Sequence, residues 1–164
     1  MSSSAYLTLL ETHGSALRRL AGCYTDHGAD REDLFQEIAL ALWLGLPRFR
    51  GESSERTWLY RVAHNVAITF VARARRKAAV EEPDPEAAAV VPAAENAEEA
   101  AIRRERAERL RWAIRMLPVV DRQIIQMHLE GLSHAEIETV TGLSQGNIAV
   151  RLSRIRQRLR EMQT

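Results

Sequence analysis

Residues 133–159, SHAEIETVTGLSQGNIAVRLSRIRQRL, admit few folds. Ser133 and Glu136 stand three apart, the spacing at which a hydroxyl and a carboxylate cap a helix start reciprocally. Ile137 and Val140 give the short helix that follows an apolar face. Thr141-Gly142-Leu143 interrupts it with a tight turn. Ser144 then caps a second helix from Gln145, along which Ile148, Leu152, Ile155 and Leu159 recur at helical spacing. A short helix, a glycine turn and a second helix make a helix-turn-helix. The outer face of the second helix carries Gln145, Gly146, Asn147, Val150, Arg151, Arg154, Gln157 and Arg158. Such a helix can lie in a major groove with its N-terminal residues at base edges. Gln and Asn suit adenine, Arg suits guanine or phosphate, and Val150 can meet a thymine methyl. A plain helical hairpin shares the periodicity but needs neither the cap nor the basic face.

A second basic stretch lies in the first half, Arg48 to Lys77: RFRGESSERTWLYRVAHNVAITFVARARRK. It reads as a glycine-containing loop followed by a long helix. Ser53 or Ser54 can cap that helix, and Glu55 sits where the positive end of the helix dipole favours a carboxylate. Trp58, Leu59, Val62, Val66 and Phe70 define an expected buried face. The opposite face is expected to carry Tyr60, Arg61, His64, Asn65, Ile68 and Arg75, and the helix runs out through Arg73, Arg75, Arg76 and Lys77. Cations for phosphates, an amide for a base edge and an aromatic for stacking are what a nucleic-acid surface needs. A solvated basic face is the plainer alternative.

The rest of the chain reads as helical. Tyr6 to Tyr24 keeps Tyr6, Leu9, Leu10, His13, Leu17, Leu20 and Tyr24 on one face, with His13 as a core histidine. Residues 25–29 make a turn. Asp30 caps the next helix, with Leu34, Phe35, Ile38 and Leu42 inward, Asp33, Gln36 and Glu37 outward, and Pro47 ending it. Helical carboxylate metal sites add a Glu-x-x-His pair, which this stretch lacks. Its acids therefore read as a protein-docking patch or a solvated face. Residues 102–117 form another helix with Ile102, Leu110, Ile114 and Leu117 inward. Residues 121–130 follow with Ile124, Ile125, His128 and Leu129 packing and Gly131 as the stop.

Net charge is +1, but it is unevenly placed. Residues 78–100 hold seven acids (Glu81, Glu82, Asp84, Glu86, Glu95, Glu98 and Glu99), three prolines and no Lys or Arg. Setting that −7 aside leaves +8 on the remainder, so two basic modules are joined by a flexible acidic linker. Some of its C-terminal part can join the next helix. Cys23 is the single cysteine, which excludes an intrachain disulfide, suits a reducing cytoplasm and reads as a core thiol. No apolar run reaches membrane-spanning length, and Leu7 to Leu10 is too short for a secretion signal. The fold class expected is all-α: two small helical domains joined by the linker, the second ending in the helix-turn-helix.

Three segments in order, DLFQE (Asp33 to Glu37), LPRFRGESSERTWLYRVAHN (Leu46 to Asn65) and EGLSHAEIETVTGLSQGNIAVRLSRIRQRL (Glu130 to Leu159), resemble the extracytoplasmic-function (ECF) sigma factors of the sigma-70 family. The likeness covers nearly all of the chain outside the linker. It implies a promoter-melting domain at 1–77, a linker at 78–100 and a −35-binding domain at 101–164. It further implies that Asp33, Leu34, Gln36 and Glu37 contact core RNA polymerase. The loop Phe49 to Ser54, with Phe49, Arg50 and Gly51, would hold a flipped base of the −10 element, read by Trp58, Tyr60, Arg61, His64 and Asn65. Gln145, Gly146, Asn147, Val150, Arg151 and Arg154 would face the −35 groove. The chain departs from the common pattern at Ala149 and Val150, where the family often has a basic residue and a serine.

By the same resemblance the partners are core polymerase, promoter DNA and an anti-sigma factor, with Ile68 and Val71 as candidate anti-sigma contacts. The acidic linker would thread the polymerase RNA path. The expectation is a cytoplasmic, non-enzymatic protein without cofactor, metal or membrane insertion. A stand-alone helix-turn-helix regulator would account for residues 133–159 but leave the other two segments unexplained. A small metal-dependent hydrolase using His27, Asp30, Asp33 and Glu37 would lack a second ligand set.

Overall fold

A computed structural model describes residues 3–79 and 97–162. Seven α-helices account for most of them: α1 Ser3–Gly22, α2 Gly28–Gly45, α3 Glu55–Ala78, α4 Ala97–Arg115, α5 Val119–Leu129, α6 His134–Thr141 and α7 Gln145–Glu161. A single 3-10 turn, Leu46–Arg48, follows α2. Among the described residues there is no strand, so the all-α expectation holds. Most of the acidic linker lies outside the described residues, but its last four, 97–100, already belong to α4.

Helices α1, α2 and α3 form one packed group. Leu34, Ile38 and Leu42 of α2 recur every fourth residue and are fully buried against Leu17, Leu20 and Leu59 of the same core. Fully burying a Leu or Ile side chain contributes about 1.5–3 kcal/mol. The Tyr6 hydroxyl donates to the Ala39 carbonyl at 2.9 Å, tying α1 across α2. Helix α2 begins at Gly28, and its N-cap His27 makes no side-chain capping bond. Asp30 thus sits inside the first turn rather than ahead of it. There its carboxylate favours the helix dipole without closing the end.

The capping of α3 falls to Ser54, whose hydroxyl accepts from the Thr57 amide at 3.1 Å. Glu55 stands in the first turn and Arg75, Arg76 and Lys77 in the last, both favourable to the dipole. In the second group, Ser133 and Glu136 complete the reciprocal cap on α6. Gly142 ends α6 at φ +74°, a left-handed conformation that glycine adopts without steric cost. The Ser144 hydroxyl caps α7 from the Asn147 amide. Ile148, Leu152, Ile155 and Leu159 are buried beneath α7, as their spacing predicts.

Several inward and outward assignments change. Ile102 and Leu129 are exposed, because α4 and α5 turn those positions away from the core. Tyr60 and His64, expected on an open face of α3, are buried with Trp58, Leu59, Ala63 and Ala67. Val62, Val66 and Phe70 are only partly buried. The reason is that α3 packs on two sides. One side meets α2, and the other meets α5 and α6 from the second group. Leu34, expected at a polymerase contact, is fully buried in the core. Ile68 and Val71 are half-buried rather than open.

Candidate nucleic-acid interface

Helix α7 presents the clearest surface. Gln145, Gly146, Asn147, Val150 and Arg154 are exposed, and Arg151 is half-buried. All six expected groove-facing residues are therefore at least partly open to solvent. Several of the polar groups are already held. The Gln145 amide donates to Glu138 of α6 at 2.9 Å. Arg151 donates through Nε to the Asn147 side-chain carbonyl at 3.0 Å and through Nη1 to Asp121 of α5 at 2.7 Å. Val150 leaves half of its surface open, suited to an apolar contact in a groove.

The first group offers a smaller surface. Arg50 and Gly51 are exposed in the loop before α3, where Gly51 takes φ +73°. Asn65 is exposed and Arg61 half-buried on α3. Phe49 lies over Trp58 with ring centroids 5.0 Å apart. Trp58 in turn fills the space beside Gly45, where a built Cβ would stand 3.1 Å from the indole. Trp58 therefore supports the loop from beneath instead of facing outward. His64 is fully buried. Its Nδ1 lies 3.0 Å from the Tyr24 hydroxyl, and its Nε2 has no hydrogen-bond partner. Burial pushes the His64 pKa down to about 3, so the ring is neutral at ordinary pH. On α2, Asp33 and Gln36 are exposed and half-buried Glu37 pairs with Arg73 of α3.

The two groups touch mostly through residues that periodicity did not single out. Arg19 of α1 forms a two-point pair with Glu130 after α5, at 2.8 and 2.9 Å. Arg56 of α3 reaches the capping carboxylate Glu136 at 3.1 Å and the Gly131 carbonyl at 3.3 Å. The Cys23 thiol donates to the buried Gln126 side chain at 3.0 Å. Burial, partly offset by Arg111, Arg115 and Arg122, pushes that thiol up to about 11. Arg115 donates to the Gly22 carbonyl at 3.1 Å and pairs with Asp26. Arg122 lies over the Tyr24 ring, 5.2 Å from its centroid. Tyr60 is enclosed beside Glu130, Arg19 and Arg56, and burial raises its hydroxyl pKa. Only Glu136 among these pairing acids carried a local signal, its capping spacing.

Comparison with known proteins decides the family. The family model of Sigma-70 region 2 matches residues 9–77, and that of Sigma-70, region 4 matches residues 107–159. The ECF RNA polymerase sigma-E factor of Escherichia coli is 29% identical over 160 residues, covering 93% of this chain and 83% of that protein. The chain belongs to the ECF sigma factors.

This sigma factor is also similar to SigM of Mycobacterium tuberculosis, 26% identical over 156 residues, covering 94% of this chain and 75% of that one. SigG of the same species is 44% identical over 69 residues, which are 40% of this chain and 19% of SigG. The sigma factor thus spans about a fifth of SigG. Two solved structures share its fold. RpoE in complex with the anti-sigma factor NepR from Bartonella quintana has a TM-score of 0.75, 23% identity and 96% coverage of both chains. CnrH in complex with the cytosolic domain of CnrY has a TM-score of 0.69, 22% identity, and 98% and 88% coverage. The division into two helical groups matches the two sigma-70 regions, with region 2 in α1–α3 and region 4 in α4–α7. No helix among the described residues is long and apolar enough to cross a membrane.

Proposed function

We propose that this sigma factor binds core RNA polymerase in the cytoplasm, recognises the −10 and −35 elements of a promoter, and promotes strand opening without catalysing a reaction itself. The observation that carries the reading is the presence of both sigma-70 regions in order, each with an exposed polar face. Residues 1–77 serve the −10 element and core polymerase, 78–100 link, and 101–164 serve the −35 element. Gln145, Gly146, Asn147, Val150, Arg151 and Arg154 meet the −35 groove. Asp33, Gln36 and Glu37 form the polymerase contact, and Leu34 acts from the core beneath them.

The −10 surface divides into two layers. Phe49, Arg50, Gly51, Arg61 and Asn65 are within reach of DNA, while Trp58 and His64 hold that surface from below. Extruding a base costs a few kcal/mol, which a shaped pocket and new stacking must offset. Phe49, braced on Trp58, is placed for that stacking. Tyr60 reaches DNA only when α5 and α6 withdraw from α3, so promoter binding is coupled to separation of the two regions. An anti-sigma factor is the expected regulator, by analogy with RpoE, which is bound to the anti-sigma factor NepR. Exposed Leu40 and Leu44 on α2 give it more apolar surface than half-buried Ile68 and Val71.

In vitro transcription with core polymerase on a genomic promoter pool tests the proposal. Start sites that appear only when the protein is added support it. Promoter binding that needs no core enzyme, with no RNA made, would instead indicate a free-standing regulator. Within the proposal, Arg154→Ala is expected to weaken −35 binding uniformly across sequences. It should also reduce the slope of log affinity against log salt by about 1, the effect of one lost phosphate contact. An unaltered slope would remove Arg154 from the interface.

A further inference from the structure

Arg151 is expected to be a base or phosphate contact, yet its guanidinium is already occupied from two directions. An arginine has five N–H donors, and bidentate reading of guanine uses two adjacent nitrogens at once. One such edge is Nε with Nη2, and the other is Nη1 with Nη2. In this protein Nε donates to Asn147 Oδ1 at 3.0 Å and Nη1 donates to Asp121 Oδ1 at 2.7 Å. Each two-donor edge therefore contains a nitrogen that already donates within the protein, and the three N–H groups left are one on Nη1 and both on Nη2. Asp121 is well placed to keep the guanidinium so held. Its carboxylate is 17% exposed, and it projects from the first turn of α5, a different helix from the one that reads DNA.

We propose that Asp121 is a positioning residue for promoter recognition: by holding Nη1 it anchors the Arg151 guanidinium toward α5 and withholds it from end-on bidentate guanine reading. This rests on the −35-binding role proposed above and adds a determinant of specificity to it. The same chain of bonds orients Asn147. Because Arg151 Nε can only donate, the Asn147 carbonyl oxygen must face it, which turns the Nδ2 donors toward the groove. Asn147 then favours the acceptor edges of guanine or thymine over the N4 donor of cytosine.

The test is a selection on duplexes randomised through the −35 element, using the full-length protein assembled with core polymerase. Asp121→Ala is expected to gain a guanine preference of about five-fold at the base pair facing Arg151, the low end of bidentate discrimination. Losing a carboxylate also raises affinity for all DNA, so uniform tightening does not count. In an Arg151→Ala background the Asp121→Ala change should leave the base preference untouched while still tightening binding uniformly. Should Asp121→Ala fail to fold, Asp121→Asn keeps the shape, weakens the hold and should show about a two-fold shift. An unchanged base profile in a folded variant, or a shift that persists without Arg151, overturns the role of Asp121 alone. A wild-type holoenzyme with no selectivity at any −35 position overturns both this inference and the function beneath it.

Discussion

Unfolding free energy is expected to fall by about 1 kcal/mol between pH 7.5 and 5.5, and by about 4 kcal/mol in all by pH 3, through His64 alone. The imidazole is fully buried, and its pKa is pushed from 6.5 to about 3 by the loss of water around the charged form. Above pH 6.5 the ring is neutral in both the folded and the unfolded chain, and it contributes no pH dependence. Below 6.5 the unfolded chain binds a proton that the folded one refuses, so stability falls as pH falls. The fall levels off below pH 3, where both states carry the proton. His128, whose pKa is lowered first by desolvation and then by Arg156 and His134, adds a smaller effect of the same sign. Urea unfolding across pH 7.5–5.5, for wild type and His64→Leu, isolates the larger contribution. The variant should be flatter by roughly 1 kcal/mol over that range; equal slopes would mean the ring is accessible to protons when folded.

Reversing the charge of Arg19 and Arg56 together, to Glu, should part the two sigma-70 regions. Each arginine then becomes a glutamate facing a glutamate, Glu130 and Glu136, where it had been in an ion pair. Both pairs are partly open to water, so solvent screening limits the combined effect to about 2 kcal/mol, or roughly a thirty-fold shift toward the open form. Cys23 reports it directly. It is the sole cysteine, it is 3% exposed, and Gln126 of region 4 covers it. Its rate of modification by a thiol reagent should rise about thirty-fold in the double variant. Adding Glu130→Arg should restore much of the protection by remaking one pair. Glu136→Arg should not, since Glu136 also accepts the Ser133 amide that begins α6. Labelling at the wild-type rate would show that the apolar part of the interface holds the regions together without these ions.

The same contacts explain which parts of the site could be read early. The exposed row on α7 was legible because the apolar stripe of Ile148, Leu152, Ile155 and Leu159 leaves only one direction for Asn147, Val150 and Arg154. On α3 the same reasoning misplaced Tyr60 and His64. A helix with one buried stripe has an open opposite face, but α3 has two partners. The second, α5 and α6, comes from chain that begins 41 residues after α3 ends. Ile102 and Leu129 failed in the opposite sense, as apolar residues at helical spacing that no neighbour covers.

The starts of α3, α6 and α7, the glycine stop at Gly142, the reciprocal cap of Ser133 with Glu136 and the inner stripe of α7 were determined by sequence alone. Each depends on groups within about four residues of one another, so local chemistry suffices. The pairing of Arg19 with Glu130 and of Arg56 with Glu136, the neutral interior of His64 and the hold of Asp121 on Arg151 were decided only by the tertiary structure. These join residues between 30 and 111 positions apart. Burial and ion pairing at such range depend on which surfaces meet, and helical periodicity contains no information about that.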